Sequence, residues 1–229
     1  MLEFLHETED FWVINKPPNV SLLADRGGDA NLWETLQHRG EKPYLVHRLD
    51  KGTSGVLLVA RNQATQSSLT RAFTAREVHK FYLAWVVGEF PRGTTLHVAL
   101  PLCKGRKSRY RVAGERASIS RTDTTYQVVQ DRDGVDALTH VRCLEHASGR
   151  SLLMLKPTTG RTHQLRVHLS WLGFPILGDR LYGAPKRPEQ MAPRLMLHCH
   201  RLVVHGWGRF SAPLPTQFER AHVGSIPVT

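Results

Sequence analysis

An aspartate lies where the chain changes from a strand pattern to a tight turn. The six residues that end in Asp50 alternate with the period of a β-strand, which would point Arg48 and Asp50 to the same side. Gly52 and Gly55 bracket a turn directly afterwards, and the apolar run Val56–Ala60 predicts a strand covered on both faces. An ionised carboxylate on such rigid supports can act as a nucleophile or stabilise a cation. The alternative is an aspartate that only caps the turn.

Two further candidate side chains, Tyr82 and Arg161, lie in or next to segments whose sequence pattern predicts a strand. Strict alternation over Val78–Gly88 predicts a strand with Lys80 and Tyr82 on one face. A tyrosine in a strand is usually a core residue with a hydrogen-bonded hydroxyl, so Tyr82 has a structural interpretation beside a chemical one. A predicted strand over Ser151–Pro157 leads into a Thr-Thr-Gly-Arg turn that ends at Arg161.

Other segments supply the elements that must hold these side chains. The apolar run Phe11–Ile14 predicts a strand, which ends before a double proline. Either Asp29 or Asn31 is suited to cap a short helix after it. Asn62 is suited to cap a longer helix that runs to about Thr74.

The second half of the chain predicts more strands and one more helix. The segments Thr122–Val129 and Ala137–Leu144 favour two strands around a turn at Asp133-Gly134. Thr162 is suited to cap a helix that presents a leucine stripe, and Gly173 is a natural end for that helix.

The charge of the chain points to a polyanionic partner. The formal net charge is +11 and the isoelectric point is about 10.1, so the surface attracts RNA, DNA or an anionic membrane. Membrane docking calls for a basic amphipathic helix with a large apolar face, and the sequence predicts none, which favours nucleic acid. A dense basic segment with one interleaved tyrosine is predicted to contact RNA, although a solvated charged face is the alternative. Its cations are Lys104, Arg106, Lys107, Arg109 and Arg111.

Length and composition favour one bilobed domain over residues 1–229. Hydrophobic residues make up 41% of the chain and charged residues 22%, which is typical of a globular protein. No apolar run approaches the length of a membrane span, and the N-terminus lacks the pattern of a signal peptide. Cys103, Cys143 and Cys199 are few and far apart, which favours reduced thiols in the cytoplasm over a disulfide framework.

Taken together, several motifs resemble those of the RluA-type pseudouridine synthases. The similarity extends from about residue 3 to about residue 215, and Asn19 stands where the family usually has glycine. It implies an α+β fold: a bent, mixed and mainly antiparallel central sheet flanked by helices and loops, with an active-site cleft across the sheet. The matching segments are His47-Arg48-Leu49-Asp50 with Gly52-Thr53-Ser54-Gly55, Lys80-x-Tyr82, 159–169, 173–183 and 194–202.

The resemblance implies that uridine in RNA is isomerised to pseudouridine without a cofactor or metal. It makes Asp50 the nucleophile and places Arg161 beside it, while Tyr82 stacks on the target base. It makes Arg48 a residue that enters the RNA or grips phosphate as the base flips. His47 and Arg166 complete the predicted RNA contacts. The predicted pocket walls are Ile176, Leu177 and Leu197.

Three alternatives to a pseudouridine synthase are a hydrolytic glycosidase, a metal-binding protein and a noncatalytic RNA-binding protein. A hydrolytic glycosidase needs a second working carboxylate, and Asp179 looks structural. Histidines and one cysteine between residues 163 and 205 have no metal-binding spacing, so no metal is expected. A noncatalytic RNA-binding protein or RNA chaperone on the same scaffold is the third. RNA is the expected partner, and a transfer-RNA or ribosomal stem-loop is the expected substrate of the synthase. The chain is expected to act as a monomer without an appended RNA-binding domain, an obligate protein partner or a membrane.

Overall fold

The computed structural model of the chain describes residues 2–24, 28, 30–38, 40, 42–107, 109–183 and 192–218. Asp29, one of the two predicted helix caps, lies outside these ranges. The chain divides into two compact units, the first made of Met1–Tyr82 and Leu197–Pro213 and the second of Leu83–Met196 and Leu214–Thr229. The expected single bilobed domain stays a prediction.

Strands predominate over helices in the described residues. The helices are α1 (Leu32–Gln37), α2 (Gln63–Thr74) and α3 (Gln164–Trp171). In chain order the strands are β1 (Glu3–Glu7), β2 (Phe11–Lys16), β3 (Tyr44–Leu45), β4 (Ser54–Ala60), β5 (Val78–Val87), β6 (Leu96–Ala99), β7 (Leu102–Lys104), β8 (Tyr110–Val112), β9 (Gly114–Thr122), β10 (Thr125–Gln130), β11 (Leu138–Ala147), β12 (Arg150–Pro157), β13 (Leu197–Val204) and β14 (Gly208–Ser211).

In the first unit the sheet order is β1-β2-β4-β13, with β3 paired to β4 and β14 to β13. β4 and β13 pair in parallel, whereas the pairings of β1 with β2, β2 with β4, β3 with β4 and β14 with β13 are antiparallel. Every residue of β4 is buried, as its unbroken apolar run predicted. The residues that lead to Asp50 depart from the prediction, because β3 ends at Leu45 and the backbone over 46–50 is irregular.

In the second unit the sheet order is β12-β11-β6-β10-β9. β6 and β10 pair in parallel, whereas the β12–β11, β11–β6 and β10–β9 pairings are antiparallel. The two strands predicted around Asp133-Gly134 exist as β10 and β11, but they do not form a hairpin because β6 lies between them. A separate antiparallel hairpin of β7 and β8 carries the basic segment. A mixed, mainly antiparallel set of strands with few helices confirms the α+β class.

Two of the three helices begin where the sequence predicts. The side chain of Asn31 accepts a hydrogen bond from the Glu34 N–H, and that of Asn62 accepts one from the Thr65 N–H, at 3.0 and 2.8 Å. Each bond satisfies a backbone donor that the first turn of a helix leaves without a partner. Within the described ranges, none of the helices has the length and apolar character that crossing a bilayer requires.

The third helix begins differently from the prediction. Thr162 does not cap it; the residue before the helix is His163, which has a left-handed backbone with φ +56° and caps no N–H with its side chain. The helix ends as expected at Gly173, whose φ of +92° is a conformation that glycine adopts without strain.

Candidate active site

Asp50 begins the tight turn that leads into β4. Its carbonyl accepts a hydrogen bond from the Thr53 N–H at 3.0 Å, and the residue itself is half-buried. The hydroxyl of Ser54, the next residue, bonds to Nδ1 of His198 on β13 at 2.9 Å, and both of these side chains are buried. Ser54 therefore attaches the end of the turn that begins at Asp50 to the core.

Gly55 allows the turn to press directly against β13. It pairs with Cys199 and has a φ of +110°. A Cβ atom added at this position would lie 2.2 Å from the Cys199 carbonyl oxygen, a distance that no side chain tolerates. Glycine is needed here for its conformation and for the close approach of the two backbones.

Lys16 attaches the same turn to the end of β2. The residue is wholly buried, and its Nζ donates to the carbonyls of Pro17, Val20 and Lys51 at 2.8, 2.9 and 3.1 Å. Three carbonyls match the three donors of an ammonium group, which is how a buried lysine is stabilised. The loop around it includes Asn19 at φ +62°, so asparagine takes the conformation expected of the family's glycine.

Tyr82 lies close to Asp50 within the first unit. It is buried, with 8% of its surface exposed, and its hydroxyl lies near the buried Cys199 thiol. Burial, followed by the Cys199 thiol and the Asp50 carboxylate, raises the pKa of Tyr82 well above its ordinary value. The hydroxyl therefore stays protonated at neutral pH and can donate a hydrogen bond.

His47 and Arg48, both predicted to contact RNA, face different surroundings. The ring of His47 stacks on Phe73 at a centroid distance of 4.8 Å, and its Nε2 accepts a hydrogen bond from the Leu58 N–H at 3.0 Å. Burial and the charge of Lys80 lower the pKa of His47 to about 3, which keeps the ring neutral. In this structure His47 therefore supports β4 from inside the unit, whereas Arg48 is exposed.

Arg161 lies in the second unit, in a turn shaped by Gln164. The side chain of Arg161 is exposed, and its Nε donates to the Asp136 carbonyl at 3.1 Å. Gln164 is 3% exposed, and its Oε1 accepts hydrogen bonds from the Arg161 N–H and the Thr159 hydroxyl. Its Nε2 donates to the Leu138 carbonyl and the Thr139 hydroxyl. The amide thus uses all of its bonding capacity to fix the turn.

The predicted basic loop is the tip of the β7–β8 hairpin. The Gly105 N–H donates to the Arg109 carbonyl at 2.8 Å, which closes the tip. Arg111 folds back onto the protein: its guanidinium lies 5.5 Å from the centre of the Trp171 ring and 3.7 Å from a Glu115 oxygen. The exposed cations of this hairpin are Lys104, Arg106, Lys107 and Arg109.

Arg166, another predicted RNA contact, is paired within the protein. Its Nε and one terminal nitrogen donate to the two carboxylate oxygens of Asp179 at 2.9 and 2.8 Å. The side chains of Arg166 and Asp179 are only 11% and 1% exposed. This two-pronged pair supports the structural role expected of Asp179 and occupies the face of Arg166 that would grip phosphate.

The three residues predicted to line the pocket, Ile176, Leu177 and Leu197, are all buried. The Leu177 N–H donates to the Trp85 carbonyl, and its own carbonyl accepts from the Met196 N–H, both at 2.9 Å. Ile176 forms an isolated bridge with Val86. Leu197 begins β13.

A family profile described as RNA pseudouridylate synthase matches residues 10–171. The chain belongs to this family. An uncharacterized RNA pseudouridine synthase of Zymomonas mobilis is 37% identical over 215 residues, which cover 90% of both chains. The dual-specificity RNA pseudouridine synthase RluA of Escherichia coli is 36% identical over 208 residues, covering 89% of this chain and 86% of that enzyme. The resemblance to RluA-type enzymes is thereby confirmed.

A solved structure agrees with these relatives. The human protein RNA Pseudouridylate Synthase Domain Containing 1 superimposes with a TM-score of 0.75 at 30% identity, covering 94% of this chain and 83% of that one. The pseudouridine synthase fold is therefore confirmed together with the family. Enzymes of this class are isomerases, and so is this pseudouridine synthase.

The histidines considered as metal ligands have other partners in this pseudouridine synthase. Nδ1 of His200 bonds to the Ala212 carbonyl at 3.0 Å, and Nδ1 of His163 to the Tyr182 hydroxyl at 2.7 Å. His168 bonds to the Leu100 carbonyl, and burial lowers its pKa to about 4. In the part of the chain that the structure describes, no three histidine, cysteine or acidic side chains are grouped so as to hold a metal ion.

Sequence reasoning missed three residues that hold the site of the pseudouridine synthase. Lys16 and Cys199 give no sign in the sequence that they are buried beside Asp50 and Tyr82. Gln164 does give a sign, because a glutamine three residues after a turn residue can bond back to that residue's N–H, as in a capping box.

Proposed function

We propose that this pseudouridine synthase isomerises specific uridines in a transfer-RNA or ribosomal stem-loop. The N1–C1′ bond breaks, the base turns and C5 bonds to C1′. C5 then loses its proton and N1 gains one, so that atoms and electrons balance without a cofactor. The target leaves its stack first, because the reacting atoms cannot be reached inside a helix. The observation that carries the proposal is the half-buried Asp50, fixed at the turn into β4 and close to the neutral hydroxyl of Tyr82.

Each proposed catalytic residue has a distinct role. Asp50 attacks as an ionised carboxylate or stabilises a cationic sugar, as one carboxylate does in retaining glycosidases. Tyr82 stacks on the base and donates a hydrogen bond, in keeping with its raised pKa. Arg161 supplies a fixed cation to the reaction, and Arg48 contacts the RNA as the base flips. Ile176, Leu177 and Leu197 enclose the base.

Tyr82→Phe should lower the single-turnover rate about ten- to a hundred-fold and leave RNA affinity within about threefold. Phenylalanine keeps the ring that stacks on the base but loses the hydroxyl donor. Rapid-quench measurement of pseudouridine at saturating RNA, together with a binding titration, separates the two effects. Tyr126→Phe, which removes a hydroxyl from β10, is the matched control. A wild-type rate for Tyr82→Phe would mean that the ring alone suffices.

The tip of the β7–β8 hairpin is proposed to hold the RNA backbone. Its four exposed cations lie between residues 104 and 109, at the end of β7 and in the turn that follows. Each phosphate that a cation neutralises adds roughly 0.7 to 0.9 to the slope of log affinity against log salt. Arg111 is a weaker candidate than the other four because Trp171 and Glu115 engage it.

Changing Arg106, Lys107 and Arg109 together to alanine should weaken RNA binding and flatten the salt slope by about two units. The single-turnover rate at saturating RNA should stay nearly unchanged, because the tip takes no part in the chemical step. Binding titrations at several salt concentrations measure the slope. An unchanged slope would show that the tip faces solvent and that the RNA is held elsewhere.

The substrate can be identified by mapping pseudouridines in strains with and without the gene. The proposal predicts that one or a few sites in transfer or ribosomal RNA lose the modification, and that the gene restores them. A strain that keeps every pseudouridine would contradict it.

A cytoplasmic location and a monomeric state are proposed as well. The three cysteines form no disulfide, in keeping with a reducing compartment.

A further inference from the structure

Arg161 is connected to the basic hairpin by two separate routes within the second unit. The first runs through the base of the hairpin. Leu102, the first residue of β7, exchanges backbone hydrogen bonds with Val135 at 2.9 and 2.8 Å. The next residue, Asp136, provides the carbonyl that accepts from Nε of Arg161 at 3.1 Å. The group that holds the Arg161 side chain is thus next in sequence to Val135, which is bonded to the base of the hairpin.

The second route runs through the hydroxyl of Tyr182. This hydroxyl accepts a hydrogen bond from the Tyr110 N–H at 2.9 Å, at the first residue of β8. The same oxygen bonds to Nδ1 of His163 at 2.7 Å. His163 follows Arg161 by two residues and has a left-handed backbone, which for a residue other than glycine is strained and has to be held by its surroundings.

Tyr182 itself is fixed in place. Its N–H donates to the Asp179 carboxylate at 3.1 Å, and its carbonyl accepts from the Ser170 hydroxyl at 2.7 Å. The guanidinium of Arg166 lies 5.1 Å from the centre of its ring. The hydroxyl is therefore a rigid point to which both the hairpin and the Arg161 turn are attached.

We infer that His163 and Tyr182 are positioning residues that fix the Arg161 turn relative to the basic hairpin. RNA held by the hairpin is then presented to Arg161 in a single register. The inference rests on the proposed function for the roles of the hairpin and of Arg161. It adds two residues that touch neither RNA nor the reacting atoms and act through Arg161.

Tyr182→Phe is the first test, because it keeps the ring under Arg166 and removes the shared hydroxyl. The single-turnover rate at saturating RNA should fall about tenfold or more, while RNA affinity stays within about twofold. His163→Asn should give the same split, since asparagine tolerates the left-handed backbone but lacks the imidazole. Tyr126→Phe, with its ring under Arg121 on β10, is the matched control and should keep the wild-type rate.

The double variant distinguishes one connection from two unrelated defects. Because both changes break the same chain of hydrogen bonds, Tyr182→Phe with His163→Asn should be no slower than the slower single variant, within about threefold. Rate losses that multiply would overturn the inference. So would a loss of affinity as large as the loss of rate, because it would make these residues RNA contacts.

Hydrogen exchange tests the connection without relying on catalysis. In the RNA-free protein, amides of residues 158–164 should exchange about tenfold faster in Tyr182→Phe than in wild type. Unchanged exchange together with an unchanged rate would overturn the inference. If exchange quickens but wild-type protein forms no pseudouridine, the proposed function fails and the connection to the Arg161 turn stands.

Discussion

Replacing Asp50 with asparagine is expected to lower pseudouridine formation by about ten-thousand-fold or more, because asparagine keeps the shape of the side chain but loses its charge and nucleophilicity. RNA affinity should stay within about threefold, since the turn is held by backbone and neighbouring side chains that the change leaves in place. Single-turnover assays with excess enzyme and a parallel binding titration measure the two quantities.

Asp133→Asn provides a control with the same change of charge. Asp133 is exposed in the segment between β10 and β11, so its loss should leave the rate within about twofold of wild type. If Asp50→Asn retained more than about a tenth of the wild-type rate, Asp50 would have no part in the chemical step.

Lys16→Met should destabilise the fold by about 3 kcal/mol or more. The change leaves three part-buried carbonyls without their donor, and one of them belongs to Lys51, directly after the proposed nucleophile. The midpoint of urea unfolding measures the loss. If the variant is folded without urea, its turnover should fall as well, because the turn that carries Asp50 has lost one of its supports.

Lys51→Met is the matched control for this prediction. Lys51 is exposed, and it contributes its backbone carbonyl to Lys16, so methionine should change stability by less than about 0.5 kcal/mol. Equal unfolding midpoints for Lys16→Met and the wild type would show that the buried ammonium does not stabilise the turn.

Features determined by neighbouring residues could be predicted from the sequence. Asn31 and Asn62 were identifiable as caps because each bonds an N–H only three residues further on. Strand β4 was identifiable because its unbroken apolar run is typical of a strand covered on both faces, and every one of its residues is indeed buried. Asp50, Tyr82 and Arg161 were identified by resemblance to family motifs, and their roles remain proposals.

Features that depend on distant residues could not be predicted. β10 and β11 were expected to form a hairpin, but β10 instead pairs in parallel with β6, where Thr125 meets His97. The sequence places Lys16 before two prolines, and only the folded chain brings the Lys51 carbonyl to its ammonium group. The pairing of Arg166 with Asp179 could not be predicted either, because nothing in the sequence shows that these two residues lie against each other.

Isomerisation of uridine in RNA by this protein can be measured as the release of tritium from C5. Because the new bond forms at C5, each pseudouridine made from C5-tritiated uridine releases its tritium to water. Purified protein is incubated with tritiated transfer-RNA and ribosomal-RNA transcripts, with and without a chelator. We expect release equal to the pseudouridine formed, unchanged by the chelator and absent in Asp50→Asn. Binding of these RNAs with no release would contradict it and identify a noncatalytic RNA-binding protein.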